Sequence, residues 1–130
     1  MSSGRPAPGA RTFVVAALAA LLLPGLGHAF LGERRRAGGF LFVVTVAFAA
    51  GIGLGGQLPW PREGAPTTLI GTAATASNVL LFSLTRLAGL GSGDPGSPTY
   101  EFGNGFLLPA GTMNLLLVTD LVARAARRPR

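Results

Sequence analysis

The sequence predicts an all-α integral membrane helical bundle of four helical segments, three or four of them spanning. Three observations carry this. Charged residues make up only 12 % of the 130-residue chain, against roughly 25 % in soluble domains, so they cover little surface. Uncharged apolar stretches recur at close to the ~20 residues that cross a hydrocarbon layer. The arginines collect between and beyond those stretches, at 34–36 and 124–130. The length supports one domain.

Residues 1–11 are small, polar and Pro-bearing and read as a disordered N-terminal tail. A single transmembrane helical domain over 12–123 follows, and a basic C-terminal tail occupies 124–130. The first segment, 12–32, has no formal charge with His28 neutral. Pro24, Gly25 and Gly27 are expected to kink or fray its second half. A cleaved signal peptide over 12–29 is the competing reading. Arg5 and Arg11 supply a basic start, Phe13 to Leu23 an apolar centre and Gly27-His28-Ala29 a cleavage site. Against cleavage, the apolar run continues through Phe30 and Leu31, and Arg34–Arg36 then resist translocation.

Residues 33–37 form a tight basic loop, and 38–59 form the second and clearest span. Gly51 and Gly55, with Gly53 and Gly56 nearby, give the small-residue spacing that lets helix backbones approach closely in lipid. Residues 60–65 look interfacial, with Trp60 suited to the headgroup level between Pro59 and Pro61. In 66–90, Thr68, Gly71, Thr72, Thr75 and Asn78 recur at helical spacing as one small, polar stripe. Two arrangements stay open for this segment: a crossing helix with its stripe packed inward, or a segment lying at or dipping into the interface. Residues 91–104 are a turn-rich loop. The last span is 105–123, with Pro109 near its start. No internal repeat is evident, so an inverted-repeat transporter has no support in the sequence.

Counting arginines leaves the topology tied. Four crossings from an inside N-terminus, or three from an outside one, each place seven arginines inside and four outside. Both arrangements make the C-terminal tail cytoplasmic and put Asp94 and Glu101 outside. Arginine-only basic residues in an Ala/Gly/Leu-rich chain match a GC-rich bacterial genome, and hence a bacterial inner membrane.

The composition excludes much chemistry. There is no Cys, no Lys and one His. Disulfides, thiolate metal sites, Schiff-base amines, P-loop lysines and multi-histidine metal sites are ruled out. No catalytic, cofactor or metal set is expected, and no enzyme. The net charge is +6. Without a basic stripe interleaved with aromatics, it points away from nucleic acid and toward the lipid bilayer.

The candidate functional or packing residues are His28, Asn78, Glu101, Asn114 and Asp120. His28 is the one group titrating between pH 5 and 8. It is either a relay or headgroup contact, or a histidine satisfied by carbonyls that Pro24 frees. Asn114 is expected to hydrogen-bond a neighbouring helix, at Asn78 or a Thr of the third segment. Asp120 has Arg124 four residues on, the spacing of a helical ion pair. Glu101 reads as a loop-ordering or partner contact. Arg34, Arg35, Arg36, Arg124, Arg127, Arg128 and Arg130 set topology or meet lipid headgroups. Gly91-Ser92-Gly93-Asp94 spells the string of intramembrane aspartyl proteases, but no earlier Asp exists to share a proton. Ser77 or Ser83 with His28 lacks any hydrolase motif.

The stretch Pro24 to Gly32 (PGLGHAFLG) resembles the PGxGHxYLG-type motif of small uncharacterised bacterial membrane proteins with a domain of unknown function. Gly93 to Gly103 (GDPGSPTYEFG) resembles their GDPxxPTYEYG-type loop, and the first stretch is more distantly similar to the two-transmembrane-helix domain family. The resemblance implies a multi-pass class and no activity. Phe30 and Phe102 stand where the motifs carry Tyr. The expected function is non-enzymatic, through helix packing or assembly with a membrane protein partner or a second copy. The alternative is a small transporter or channel subunit whose polar path joins Thr72, Asn78, Asn114 and Asp120. A polar path requires those residues to face one cavity; packing requires them to be occluded.

Overall fold

The computed structural model describes residues 8–58, 71–72 and 77–127. Residues 1–7 of the expected 1–11 tail, the interfacial stretch 60–65, Thr68 and Thr75 of the polar stripe, and Arg128 and Arg130 lie outside the described residues. Among the described residues the bounded helices are, in order, α1 (Ala10–Leu22), α2 (Leu26–Phe30), α3 (Arg34–Gly53), α4 (Val79–Leu87) and α5 (Tyr100–Ala126); Ala10 and Arg11 thus belong to a helix and not to the expected tail. Among the described residues there is no strand beyond one isolated bridge, Gln57 to Ser92. Among the described residues two helices, α3 and α5, are long and apolar enough to cross a membrane, against the three or four spans that the sequence predicts, and only 22 % and 33 % of their apolar windows are buried.

The segment 12–32 is not the single kinked span the sequence predicts. It goes in and comes back. Leu23 precedes a proline and is extended (φ −143°, ψ 130°), as the ring of Pro24 demands of its predecessor. Gly25 then takes φ 83°, in the left-handed region, and opens α2. A side chain at Gly25 would also collide with the backbone of Ala37. α1 is 13 residues long, about 20 Å, too short to cross hydrocarbon. Pro8 and Phe13 from its start meet Leu31 and Glu33 from the far side of the hairpin, together with Arg124 and Arg127. Both ends of residues 8–33 therefore lie at the C-terminal end of α5, here the basic end.

α2 ends on Gly32, where Glu33 N–H donates to the His28 carbonyl and Gly32 N–H to that of Ala29. This glycine closure lets α3 begin at once. Hence α3 starts at Arg34 rather than 38, and Arg34, Arg35 and Arg36 form its first turn instead of a loop. Positive charge there opposes the helix dipole, and Glu33, one residue earlier, offsets it. α3 stops at Gly53, short of the predicted 59, through the same closure at Gly55 (φ 82°).

α5 is longer than the predicted 105–123. Glu101 is an exposed member of its first turn, where a carboxylate favours the helix dipole, rather than a loop residue. Pro109 lies well inside the helix and not near its start. α3 and α5 run antiparallel. Their closest approach is at the opposite end, where Gly51 and Gly56 face Gly103; a Cβ on Gly103 would lie 2.7 Å from the Gly51 carbonyl oxygen. Gly51 thus packs as expected, Gly53 faces open space and Gly55 terminates the helix.

The chain leaves the opposite end at Leu58 and is back there at Gly91, whose carbonyl accepts the Leu58 N–H at 2.9 Å. Between them, Ser77 lies against the middle of α5, its Oγ 3.0 Å from the Gly111 carbonyl oxygen. The described part of 66–90 thus reaches the middle of the molecule and returns to the end it left, by way of α4. The core has two parts. Phe13, Ala16, Ala20, Val118 and Leu121 join α1 to α5. Val44, Phe48, Leu58, Leu107 and Ala110 join α3 to α5.

The glycines give a paired prediction. Gly103→Ala places a methyl on backbone and lowers the melting temperature of the purified protein. Gly105→Ala, two residues on in open space, raises stability by up to ~1 kcal/mol through helix propensity alone.

Candidate functional site

Three carbonyls and one amide make the central junction. Proline has no N–H, so Pro24 leaves the Ala20 carbonyl, four residues back, without its helical donor. Ala20 is fully buried, and water cannot supply the bond. Asn114 Nδ2 donates to that carbonyl at 2.9 Å and, with its second hydrogen, to the Ser77 carbonyl at 2.8 Å. Ser77 lies just outside α4, whose first internal bond is Phe82 N–H to the Asn78 carbonyl. Ser77 Oγ donates in turn to Gly111, one turn before Asn114. One primary amide near the midpoint of α5 therefore holds the end of α1 and the residue just before α4.

The sequence reading placed Asn114 on a neighbouring helix, and it is there. Its partners are the backbone of Ala20 and Ser77 rather than Asn78 or a threonine. Asn78 is fully buried beside it, at the N-cap of α4, with neither amide atom hydrogen-bonded. The Asn114 Oδ1 is likewise unpartnered. His28 is buried, its ring centroid 5.2 Å from that of Phe40, and its Nδ1 has no hydrogen-bond partner. The carbonyl freed by Pro24 is thus taken by Asn114, and His28 serves as a packed aromatic between α2 and α3.

Asp120 pairs with Arg124 at 2.9 Å, as its spacing predicts. Arg124 also reaches Glu33 Oε1 at 3.1 Å, and Glu33 Oε2 meets Arg36 at 3.4 Å. This chain of charges ties the α2–α3 turn to the end of α5. Glu33 was hidden in the sequence among three arginines, and only the hairpin brings it to Arg124. Next to this network a cleft of about 360 Å³ opens between Pro8, Phe13, Leu31, Glu33, Arg124 and Arg127.

The GDPGSPTYEFG stretch is a clasp at the opposite end. Asp94 turns the loop by accepting from Gly96 N–H through Oδ1 (3.0 Å). Its own N–H donates to the Gly55 carbonyl. Thr99 Oγ1 donates to the Leu54 carbonyl at 2.8 Å, Tyr100 OH to Gln57 Oε1 at 2.8 Å, and Asn104 Oδ1 accepts from Gln57 N–H at 2.8 Å. Each bond satisfies a group exposed where α3 ends. Gln57 and Asn104 lie outside the motif, so only the fold reveals them, whereas Thr99 and Tyr100 lie within it. Asp94 stands in this exposed turn.

Asn114, Asn78, His28 and Asp120 do not share a cavity: the first three are occluded and Asp120 lies exposed at the basic end. Among the described residues no three His, Asp or Glu groups are placed to hold a metal ion.

The two asparagines should respond oppositely to the same substitution. Asn114→Leu strips the donor from two buried carbonyls and costs about 2–4 kcal/mol in a chemical-unfolding titration. Asn78→Leu removes two unpaired polar atoms at similar volume and is neutral or stabilising. Asn114→Asp, which sets a carboxylate against two carbonyls, is the most damaging of the three.

No curated protein and no solved structure matches the chain. A protein-family profile does match it over residues 15–129, which include the broken hairpin, the Asn114 junction and the clasp. The chain belongs to that family, DUF6677, a family of unknown function.

Proposed function

We propose that this chain is a non-enzymatic, multi-pass protein of the bacterial inner membrane that works through helix packing and assembly with a membrane partner or a second copy. The observation that carries this reading is the occlusion of its mid-depth polar groups. Asn78, Asn114 and His28 are each at most 2 % exposed. The donors of Asn114 are engaged with backbone. A conducting or transport path needs polar groups open to water, whereas these are closed off from it.

The outer surface supports placement in lipid. Val14, Leu18, Phe42, Val46, Phe106 and Leu116, on three different helices, are 45–70 % exposed, which is costly in water and favourable in hydrocarbon. In this arrangement α3 and α5 cross, the hairpin at 10–33 enters from the basic end without crossing, and α4 runs from the middle of the molecule back to the opposite end. The arginine tie then breaks. Six of the seven described arginines (all but Arg86) fall at the basic end. The positive-inside rule makes that end cytoplasmic. The C-terminal tail keeps its expected side, and the N-terminal end joins it there.

The chain has no cysteine, so single-cysteine variants read this directly. Gly9→Cys and Arg35→Cys react with a membrane-impermeant maleimide from the cytoplasmic side, and Pro95→Cys from the other. Labelling of positions 9 and 35 from different sides would show that 12–32 crosses. Asn78→Cys stays unreactive in the folded protein; rapid modification by a small water-soluble thiol reagent would favour the polar-path reading instead.

A further inference from the structure

The cleft at the basic end is amphiphilic in a way the packing does not use. Its floor is apolar, from Pro8, Phe13 and Leu31, and its rim carries Glu33, Arg124 and Arg127. The two carboxylates near the rim, Glu33 and Asp120, are consumed by Arg36 and Arg124. Arg127 has no carboxylate partner among the described residues. Arg11, Arg34 and Arg35, from the starts of α1 and α3 at the same end, have none either. The opposite end is different in kind: Asp94 and Glu101 there outnumber Arg86.

We propose that this cleft binds an anionic phospholipid of the cytoplasmic leaflet. The phosphodiester sits at Arg127 and one acyl chain lies along Phe13 and Leu31. A guanidinium offers two parallel N–H donors that match a phosphate edge, and Arg127, on the last turn of a membrane-length helix, presents them at headgroup depth. The apolar floor distinguishes a lipid from free phosphate, which has nothing to gain from Phe13 and Leu31. The unpaired arginines distinguish an anionic headgroup from a zwitterionic one, whose cation they repel. Occupancy would join the start of α1, the α2–α3 turn and the end of α5 through one ligand. The α2–α3 turn and α5 are the elements that Glu33 and Arg124 already tie.

The proposal rests on the membrane placement above, and the test separates the two. The full chain in mild detergent is titrated with phosphatidylglycerol and phosphatidylcholine, and retained lipid is read by native mass spectrometry. Phosphatidylglycerol is retained in clear preference. Arg127→Gln lowers that preference about fivefold, the usual effect of one basic residue at an anionic surface. Arg127→Lys keeps part of it, and Arg86→Gln leaves it unchanged. Leu31→Ser weakens retention of both lipids. Equal retention of the two lipids, or an unchanged preference in Arg127→Gln, would overturn the proposal. Displacement of the lipid by millimolar inorganic phosphate would also overturn it, by assigning the site to the free anion. Release of the protein from cell membranes by alkaline carbonate would defeat the membrane placement itself; a chain that resists extraction yet shows no lipid preference defeats only the cleft.

Discussion

The fold depends on one side-chain amide. Asn114 donates its two hydrogens to the carbonyls of Ala20, near the end of α1, and Ser77, just before α4. The Ala20 carbonyl lacks its helical donor because Pro24 has no N–H. In a buried, apolar setting an unpaired carbonyl costs a few kcal/mol, comparable to a sizeable fraction of total stability. The break after α1 is therefore tolerable only together with a donor at that depth, and the same asparagine also holds Ser77. The end of α1 and the start of α4 are held at the same level of α5 for this reason.

From that junction the rest follows. The α1–α2 hairpin, broken at Leu23-Pro24-Gly25, folds back from the basic end ahead of α3, and α4 runs from the middle of the molecule to the opposite end ahead of α5. α5 is the common wall, packed against α1 through small residues and against α3 through Gly51, Gly56 and Gly103. Small residues let backbones come close, and in lipid close packing replaces the hydrophobic effect as the force between helices.

The two ends are closed differently, which suits a molecule whose ends face different surroundings. At the opposite end the closure is neutral: hydroxyl, amide and phenol groups of Gln57, Thr99, Tyr100 and Asn104 cap the exit from α3. At the basic end it is ionic, through Arg36, Glu33, Arg124 and Asp120. These charges are 31–64 % exposed, so each pair adds little to stability in water. Their contribution is to register the α2–α3 turn against α5, and they leave Arg127 on the rim of an open cleft. The proposed role in assembly and the proposed lipid site both draw on this division between a sealed middle and a charged rim.

Composition and local spacing determined a good deal. Twelve per cent charge and recurrent apolar runs predicted an all-helical chain, but three or four spans where two described helices are of membrane length. The Asp120–Arg124 pair was legible because it lies within one helix, where spacing fixes distance. The break at Pro24 was legible too, as a proline effect on its own backbone. Its consequence was not. Whether a broken helix continues across or folds back depends on what receives the freed carbonyl and on what the returning arm packs against. Those partners, Asn114 and Leu121, lie about ninety residues away. Separations of 91 and 43 residues likewise hid Glu33 from Arg124 and Gln57 from Tyr100. Local sequence set where the chain must bend, because φ, ψ and missing donors are properties of one or two residues. Only the tertiary structure decided which way it goes after the bend, because that choice rests on hydrogen bonds and contacts between segments that the sequence does not place side by side.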